Sequence, residues 1–299
     1  MSTFFQFVVE GLTTGSFYAL VALGYTMVYG IIRLINFAHG DLFMVGAFVG
    51  WTALTALAAV HLPLALTLLI ALVASMAVTG ALGLAIERLA YQPLLRAPRL
   101  SILITALGVS LALENGVLLL YGAGFDTYPH VLSQAGFDLL GVRVSFTQIG
   151  IIAVSLALML ALYFFVHHTF LGTAMRALAI DQDAARLMGV NVERLIQLTF
   201  LLGSVLAAVA GVMEGLFYTQ INFFMGFVLG LRAFTAAVLG GIGNIPGAMA
   251  GGILIGLLEA FGAGYVSSQW TDVLVFGVLI GVLVIKPTGL FGERVVERM

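Results

Sequence analysis

The chain has 299 residues, 62% hydrophobic and only 9% charged, with a formal net charge of −2. Globular domains carry roughly a quarter charged residues, so this composition excludes an ordinary soluble domain and indicates a polytopic, all-α membrane protein embedded in a lipid bilayer. The near-neutral balance argues against a nucleic-acid binder, and the count of 0 cysteines excludes disulfides, thiolate catalysis and cysteine-held metals.

Apolar segments of at least about 17 residues, enough to cross a bilayer, are expected at Phe4–Gly30, Phe37–Val60, Pro63–Ile86, Ile102–Tyr121, Phe146–Val166 and Leu195–Tyr218. The first lacks a basic leader and is too long for a signal-peptide core, so it reads as a retained span. Glycine divides the C-terminal third into Gly226–Gly241, Ala248–Phe261 and Val273–Ile285. The total is about eight or nine spans, with the Gly226–Gly241 piece crossing fully or re-entering. Glycines number 36 against 6 prolines, a balance that favours close helix packing over disorder. Gly-xxx-Gly pairs such as Gly11/Gly15, Gly46/Gly50, Gly211/Gly215, Gly252/Gly256 and Gly277/Gly281 are read first as packing contacts, some of them toward a partner subunit.

Basic residues concentrate on the cytoplasmic side of a membrane. Of the 12 here, Arg33, Arg88, Arg96, Arg99, Arg176, Arg186, Arg194, Lys286, Arg294 and Arg298 fall on one side, leaving Arg143 opposite and Arg232 at membrane depth. This sets the C-terminus inside and the glycine-rich loop Gly122–Ser145 outside. Gly15-Ser16 in the first span is echoed by Gly203-Ser204 in the sixth, an odd offset that makes the two halves (about 1–121 and 195–299) inverted copies. Each is followed by a polar, broken piece, Arg33–Asp41 and Arg232–Gly247.

The stretch Ile35-Asn36-Phe37-Ala38-His39-Gly40-Asp41 is the most polar start of any span. Asn36 and Asp41 are candidate helix caps at the membrane edge, or the whole stretch is a broken helix lining a solute path. Leu239 to Gly247, including Gly243 and Asn244, is its expected partner break. In the fourth span Ser101, Thr105, Gly108, Ala112 and Asn115 share one face, beside Glu114. Glu214 and Glu259 lie in later apolar segments; carboxylates there are functional, paired or at helix ends, and Arg232 is able to neutralise one of them.

Between the fifth and sixth spans lies a charged island, residues 167–194, holding His167, His168, Arg176, Asp181, Asp183, Arg186, Glu193 and Arg194. At about 2.5–3.5 kcal/mol per charge at a helix centre, the island must lie in water. Thr173 is expected to cap a short amphipathic helix over Arg176–Met188, stopped by Gly189, which makes a docking surface. His167-His168 reads as a membrane-edge cap rather than a metal site. There is no His-Glu-xx-His and no Walker lysine motif, the only lysine being Lys286, and Gly108-Val109-Ser110 lacks a clear catalytic partner.

Three stretches together resemble the permeases of branched-chain amino acid ABC importers, the smaller H-type subunit. They are TGSFYALVALGYTMVYGIIRLINFAHGDLFMVGAF (Thr14–Phe48), GTAMRALAIDQDAARLMGVNVERL (Gly172–Leu195) and AFTAAVLGGIGNIPGAMAGGILIGLLE (Ala233–Glu259). The resemblance implies one transmembrane domain of ABC importer permease fold in the bacterial inner membrane. It implies half of a pore, paired with an M-type permease and served by an extracytoplasmic amino-acid-binding protein. Two cytoplasmic ATPases would drive it, binding the ATP and magnesium themselves, so this chain binds no cofactor and is not an enzyme. The coupling segment would comprise Gly172, Arg176, Ala177, Asp181, Ala185 and Gly189, and the first broken motif Asn36–Asp41. A permease for urea or short amides shares these signatures. A stand-alone carrier is the more distant alternative, kept open by Asp41, Glu114, Glu214 and Glu259.

Overall fold

The computed structural model describes residues 2–60, 62–95, 97–129, 135–139 and 141–292; the expected inside arginines Arg96, Arg294 and Arg298 lie outside them. The described chain is helical throughout its spans: α1 (Ser2–Ile32), α2 (His39–Leu57), α3 (Leu64–Ile86), α4 (Arg99–Tyr121), α5 (Phe146–His168), α6 (Phe170–Ile180), α7 (Gln182–Leu187), α8 (Val192–Tyr218), α9 (Met225–Gly240), α10 (Ile245–Tyr265) and α11 (Thr271–Ile285). Among the described residues, 8 helices are long and apolar enough to cross a bilayer. The expected segment Gly226–Gly241 is α9, only 16 residues; at 1.5 Å per residue it reaches about 24 Å, short of the roughly 30 Å hydrocarbon core. Among the described residues, strands are confined to two small antiparallel ladders between helices. In one, β1 (Asp126–Thr127) pairs with β4 (Gln220–Ile221); in the other, β2 (Gly136–Leu139) pairs with β3 (Val142–Ser145).

Burial separates the helices into an axis and a rim. Within their most apolar windows α1 is 83% and α8 72% buried, whereas α11 is 11% buried. The axis is built by glycine. A Cβ on Gly256 would lie 2.3 Å from the Gly15 Cα, and one on Gly252 would lie 2.4 Å from the Ala19 Cα. The Gly-xxx-Gly faces of α1 and α10 therefore interlock backbone to backbone, where lipid supplies no hydrophobic drive and van der Waals contact must. Gly256→Val should separate the two helices, since no side chain stands in the way to yield. Expected is loss of the folded permease from membranes; normal accumulation would show that the contact is dispensable. The Gly277/Gly281 face of α11, by contrast, meets nothing within 4 Å.

The packing has a two-fold logic with inverted halves. α1 and α8 run antiparallel, Thr14 and Phe17 beside Tyr218 at one end and Gly24 beside Gly203 further along. The pairs α1·α10, α1·α9 and α9·α10 are mirrored by α8·α3, α8·α2 and α2·α3. α2 and α9 meet head to head at the pseudo-axis, Gly40 against Gly226 and Gly230. This pairing moves one expectation. The connection equivalent to residues 33–38 is 219–224, before α9, whereas the Leu239–Gly247 break lies one element later, before α10.

Candidate functional site

The first broken motif is a fold-back within the membrane. Arg33 takes a positive φ of 54° at the end of α1. The chain then returns until the His39 ring rests on Gly24, eight residues before the end of α1, or about 12 Å along that helix. Asn36 is buried and accepts a 2.7 Å hydrogen bond from the Tyr91 hydroxyl, while His39 stands edge-on to Tyr25. Phe37 packs toward Phe234, and Ala38 is fully buried. Neither Asn36 nor Asp41 caps α2 by its side chain: the N-cap is Ala38, and a backbone turn from His39 N–H to Asn36 O takes that place. Asp41 lies buried in the first turn of α2, where the helix dipole favours a carboxylate.

The break before α10 belongs to a different end of the molecule. Gly241 (φ 104°) and Gly243 (φ 95°) need left-handed backbone. Asn244 caps α10, its Oδ1 accepting from Gly247 N–H at 2.9 Å and its Nδ2 donating to Phe291 O at 3.0 Å. Gly243 shares a small pocket of ≈ 70 Å³ with Gly30, Arg176 and Ala179, which places it against the charged island.

The polar face expected on α4 turns outward. Asn115 is exposed and donates to its own helix at Leu111 O, 2.7 Å away; Thr105 donates to Ser101 O at 2.9 Å; Gly108 meets nothing within 4 Å. The inward residues of α4 are Ile102, Ala106, Ser110, Glu114 and Val117.

A charge cluster joins α1, α8, α9, α10 and α11. Arg232 Nη1 lies 2.5 Å from Glu259 Oε1 and donates to Tyr18 Oη at 3.1 Å. Its Nη2 and Nε both reach Asp272 Oδ1, at 2.8 and 3.1 Å. The Tyr18 hydroxyl donates to Glu259 Oε2. Arg232 therefore neutralises Glu259, not Glu214, and Asp272 is a second partner. Glu214 faces the same space with a buried, unpaired Oε2. Tyr18, Tyr218 and Asp272 were not legible as members, since the pairing spans elements far apart in the chain.

The island forms two helices, not one. Thr169, rather than Thr173, caps α6, its Oγ1 accepting from Gly172 N–H at 3.0 Å. Gly172 is required there: a Cβ would lie 2.3 Å from Val166 O. Asp181 ends α6 and caps α7, accepting from Asp183 and Ala184 N–H at 2.9 and 3.0 Å. Gly189 (φ 84°) closes α7, with Gly189 N–H to Arg186 O and Val190 N–H to Ala185 O in a Schellman arrangement. Arg176 and Ala177 are exposed, Ala185 buried. The island grips the end of α1, Gln182 Nε2 donating to Ile31 O at 3.0 Å. Four large apolar side chains stay in the open: Phe170 87%, Ile180 81%, Leu187 88% and Met188 84% exposed. Asp181→Ala should cost about 1 kcal/mol of α7 stability, while Asp181→Ser should retain most of it. Hydrogen exchange over 182–188 reads this directly; equal protection in both variants would contradict the capping role.

Known proteins give a consistent comparison. A sequence model of the family described as branched-chain amino acid transport system / permease component matches residues 7–283. The chain is 46% identical over 301 residues to BraD of Pseudomonas aeruginosa, a high-affinity branched-chain amino acid transport system permease protein, covering 99% of this chain and 98% of that protein. It is 43% identical over 303 residues to LivH of Escherichia coli K12, which carries the same description, again over 99% and 98%. The fold is similar to the solved inward-facing conformation of a metal-chelate type ABC transporter, with a TM-score of 0.54, 19% identity, and coverage of 94% of this chain and 88% of that one.

Proposed function

The chain belongs to the family of branched-chain amino acid transport system permease components, and from that premise we propose that it forms half of the pore of an ATP-driven importer for leucine, isoleucine and valine. It is a transport subunit and not an enzyme. Its pore-forming mate is an M-type permease, and two cytoplasmic ATPases bind the ATP and magnesium. An extracytoplasmic binding protein delivers the amino acid. The C-terminus and residues 167–194 face the cytoplasm, as the distribution of basic residues favours.

The observation that carries this reading is the α6–α7 surface. It is bolted to α1 through Gln182 and Ile31, yet it exposes Ile180, Leu187 and Met188. Apolar side chains clustered on a short water-facing element fit a groove in a partner. Force applied there reaches α1, the buried axis, and through Gly24 and Gly40 reaches the meeting point of α2 and α9. Gly172, Arg176, Ala177, Asp181, Ala185 and Gly189 shape this surface; Asn36 to Asp41 sit at the moving centre. Gly243 and Asn244 tie α10 to the coupling end, and Thr105 and Asn115 face outward, on a side open to a second permease. Affinity purification through a tag on this chain, from native membranes in mild detergent, should recover a second permease and ATPase subunits. Recovery of this chain alone would contradict the proposal.

A further inference from the structure

The charge cluster borders a cavity that no transport step above uses. One lobe of ≈ 420 Å³ is lined by Tyr18, Glu214, Phe224, Val228, Leu229 and Arg232, and reaches Ala123 and Phe125 in the loop after α4. A second lobe of ≈ 270 Å³ shares Tyr18, Glu214, Leu229 and Arg232 and extends to Thr14 and Glu259. Small-molecule sites begin at roughly 300 Å³ and combine apolar walls with a few converging polar groups. Charged groups at membrane depth are tolerated only against protein or a water-filled space.

Its charges are unbalanced in a specific way. Three carboxylates, Glu214, Glu259 and Asp272, surround one cation, Arg232. Two of them hold the guanidinium, and Glu214 Oε2 is left buried without a partner. Positive charge is thus short in this cluster, and Glu214 is the carboxylate that no cation meets. The set is not a metal site: among the described residues no group of three or more His, Cys, Asp or Glu is placed to hold a metal ion. A single ammonium suits one free carboxylate oxygen. Arg232 is also available to an anion. Its partner Asp272 is 58% exposed, and exposed pairs are worth only about 0–1 kcal/mol, so an incoming carboxylate exchanges with it at little cost. Glu259 and Tyr18 keep the guanidinium in place meanwhile.

We propose that this cavity is a way-station for the free zwitterionic amino acid. Glu214 receives the α-ammonium, Arg232 receives the α-carboxylate in exchange for Asp272, and Phe224, Val228 and Leu229 receive the branched side chain. The assignment rests on the importer reading for its substrate class. It adds a recognition site within the permease, separate from whatever the external binding protein selects.

The test uses the assembled importer in nanodiscs without added binding protein, with radiolabelled leucine as the probe. Leucinamide, lacking the carboxylate, and isocaproate, lacking the ammonium, should each compete at least roughly tenfold more weakly than unlabelled leucine. Glu214→Gln should weaken leucine binding by a similar factor and abolish the preference over isocaproate. Asp272→Asn should act in the opposite direction and tighten leucine binding, because substrate no longer displaces a resident carboxylate; a purely structural cluster predicts no gain. Leucine binding unchanged in Glu214→Gln, or unchanged or weakened in Asp272→Asn, would overturn the proposal. If Glu214→Gln does not assemble, Asp272→Asn decides. Uptake by the complete wild-type system is measured alongside. ATP-driven leucine uptake with no leucine bound in nanodiscs overturns the way-station alone. Binding as described with no ATP-driven uptake overturns the importer reading and leaves the cavity assigned.

Discussion

Ile180→Asp and Leu187→Asp should each reduce ATP-driven uptake at least tenfold while the chain still inserts and folds. Neither side chain supports the fold, being 81% and 88% exposed. Their exposure on an otherwise charged island has a cost only when a partner must bury them. A carboxylate forced into an apolar groove is left unsolvated and unpaired, worth several kcal/mol against docking, or a factor well beyond ten. Basal ATP hydrolysis by the ATPases should survive, because their own sites are untouched. Charge reversal at Arg176, exposed on the same surface, should uncouple in the same sense more mildly. Uptake at the wild-type rate in both aspartate variants would show that the island docks no motor.

The second large effect concerns Arg232. Arg232→Met removes the cation and strands Glu259, and in part the more exposed Asp272, in the membrane domain. Breaking a buried pair by deleting one member costs about 3–5 kcal/mol; with the Arg232 and Glu259 side chains 20% and 18% exposed, the lower end applies. That is a large share of a typical fold's margin of about 5–15 kcal/mol. The double variant Arg232→Met with Glu259→Gln should recover most of the loss, since the buried carboxylate that Arg232 neutralises is then uncharged and the Asp272 left unpaired is 58% exposed. Thermal melting of the purified complex distinguishes them: the single variant should melt well below the double. Equal melting would mean the pair is solvated and contributes little.

Much of this fold is written in the sequence because lipid makes the code simple. Each expected apolar segment is a helix, and the short, glycine-broken one is α9, too short to span. The echo of Gly15-Ser16 in Gly203-Ser204 marks small residues on both axial helices, where Gly15 lies against α10 and Gly203 against Gly24 of α1. Two local readings failed for identifiable reasons. Thr173 and Thr169 are both of a capping type, and Thr169 takes the role because Gly172, without a Cβ, approaches the Val166 carbonyl closely and donates its N–H to Thr169 Oγ1. Asp181 divides the island because its side chain takes two N–H groups, which an amphipathic pattern does not reveal. On α4, polarity alone does not tell which way the Ser101–Asn115 stripe faces. Its hydroxyl and amide groups satisfy themselves on their own backbone, so nothing draws them inward, and Ser110 and Glu114 turn in instead. The charge cluster was legible only as residues. Which carboxylate meets Arg232 depends on how α9, α10 and α11 cross, and periodicity within one helix carries no information on that.

The most direct test of the central claim is leucine accumulation by proteoliposomes holding the complex purified through this chain, with binding protein and leucine outside. ATP supplied to the ATPase side should produce accumulation above the external concentration, shared by isoleucine and valine and absent without ATP. Accumulation or equilibration by this chain alone without ATP would contradict the account, as would ATP-driven movement of urea but not leucine.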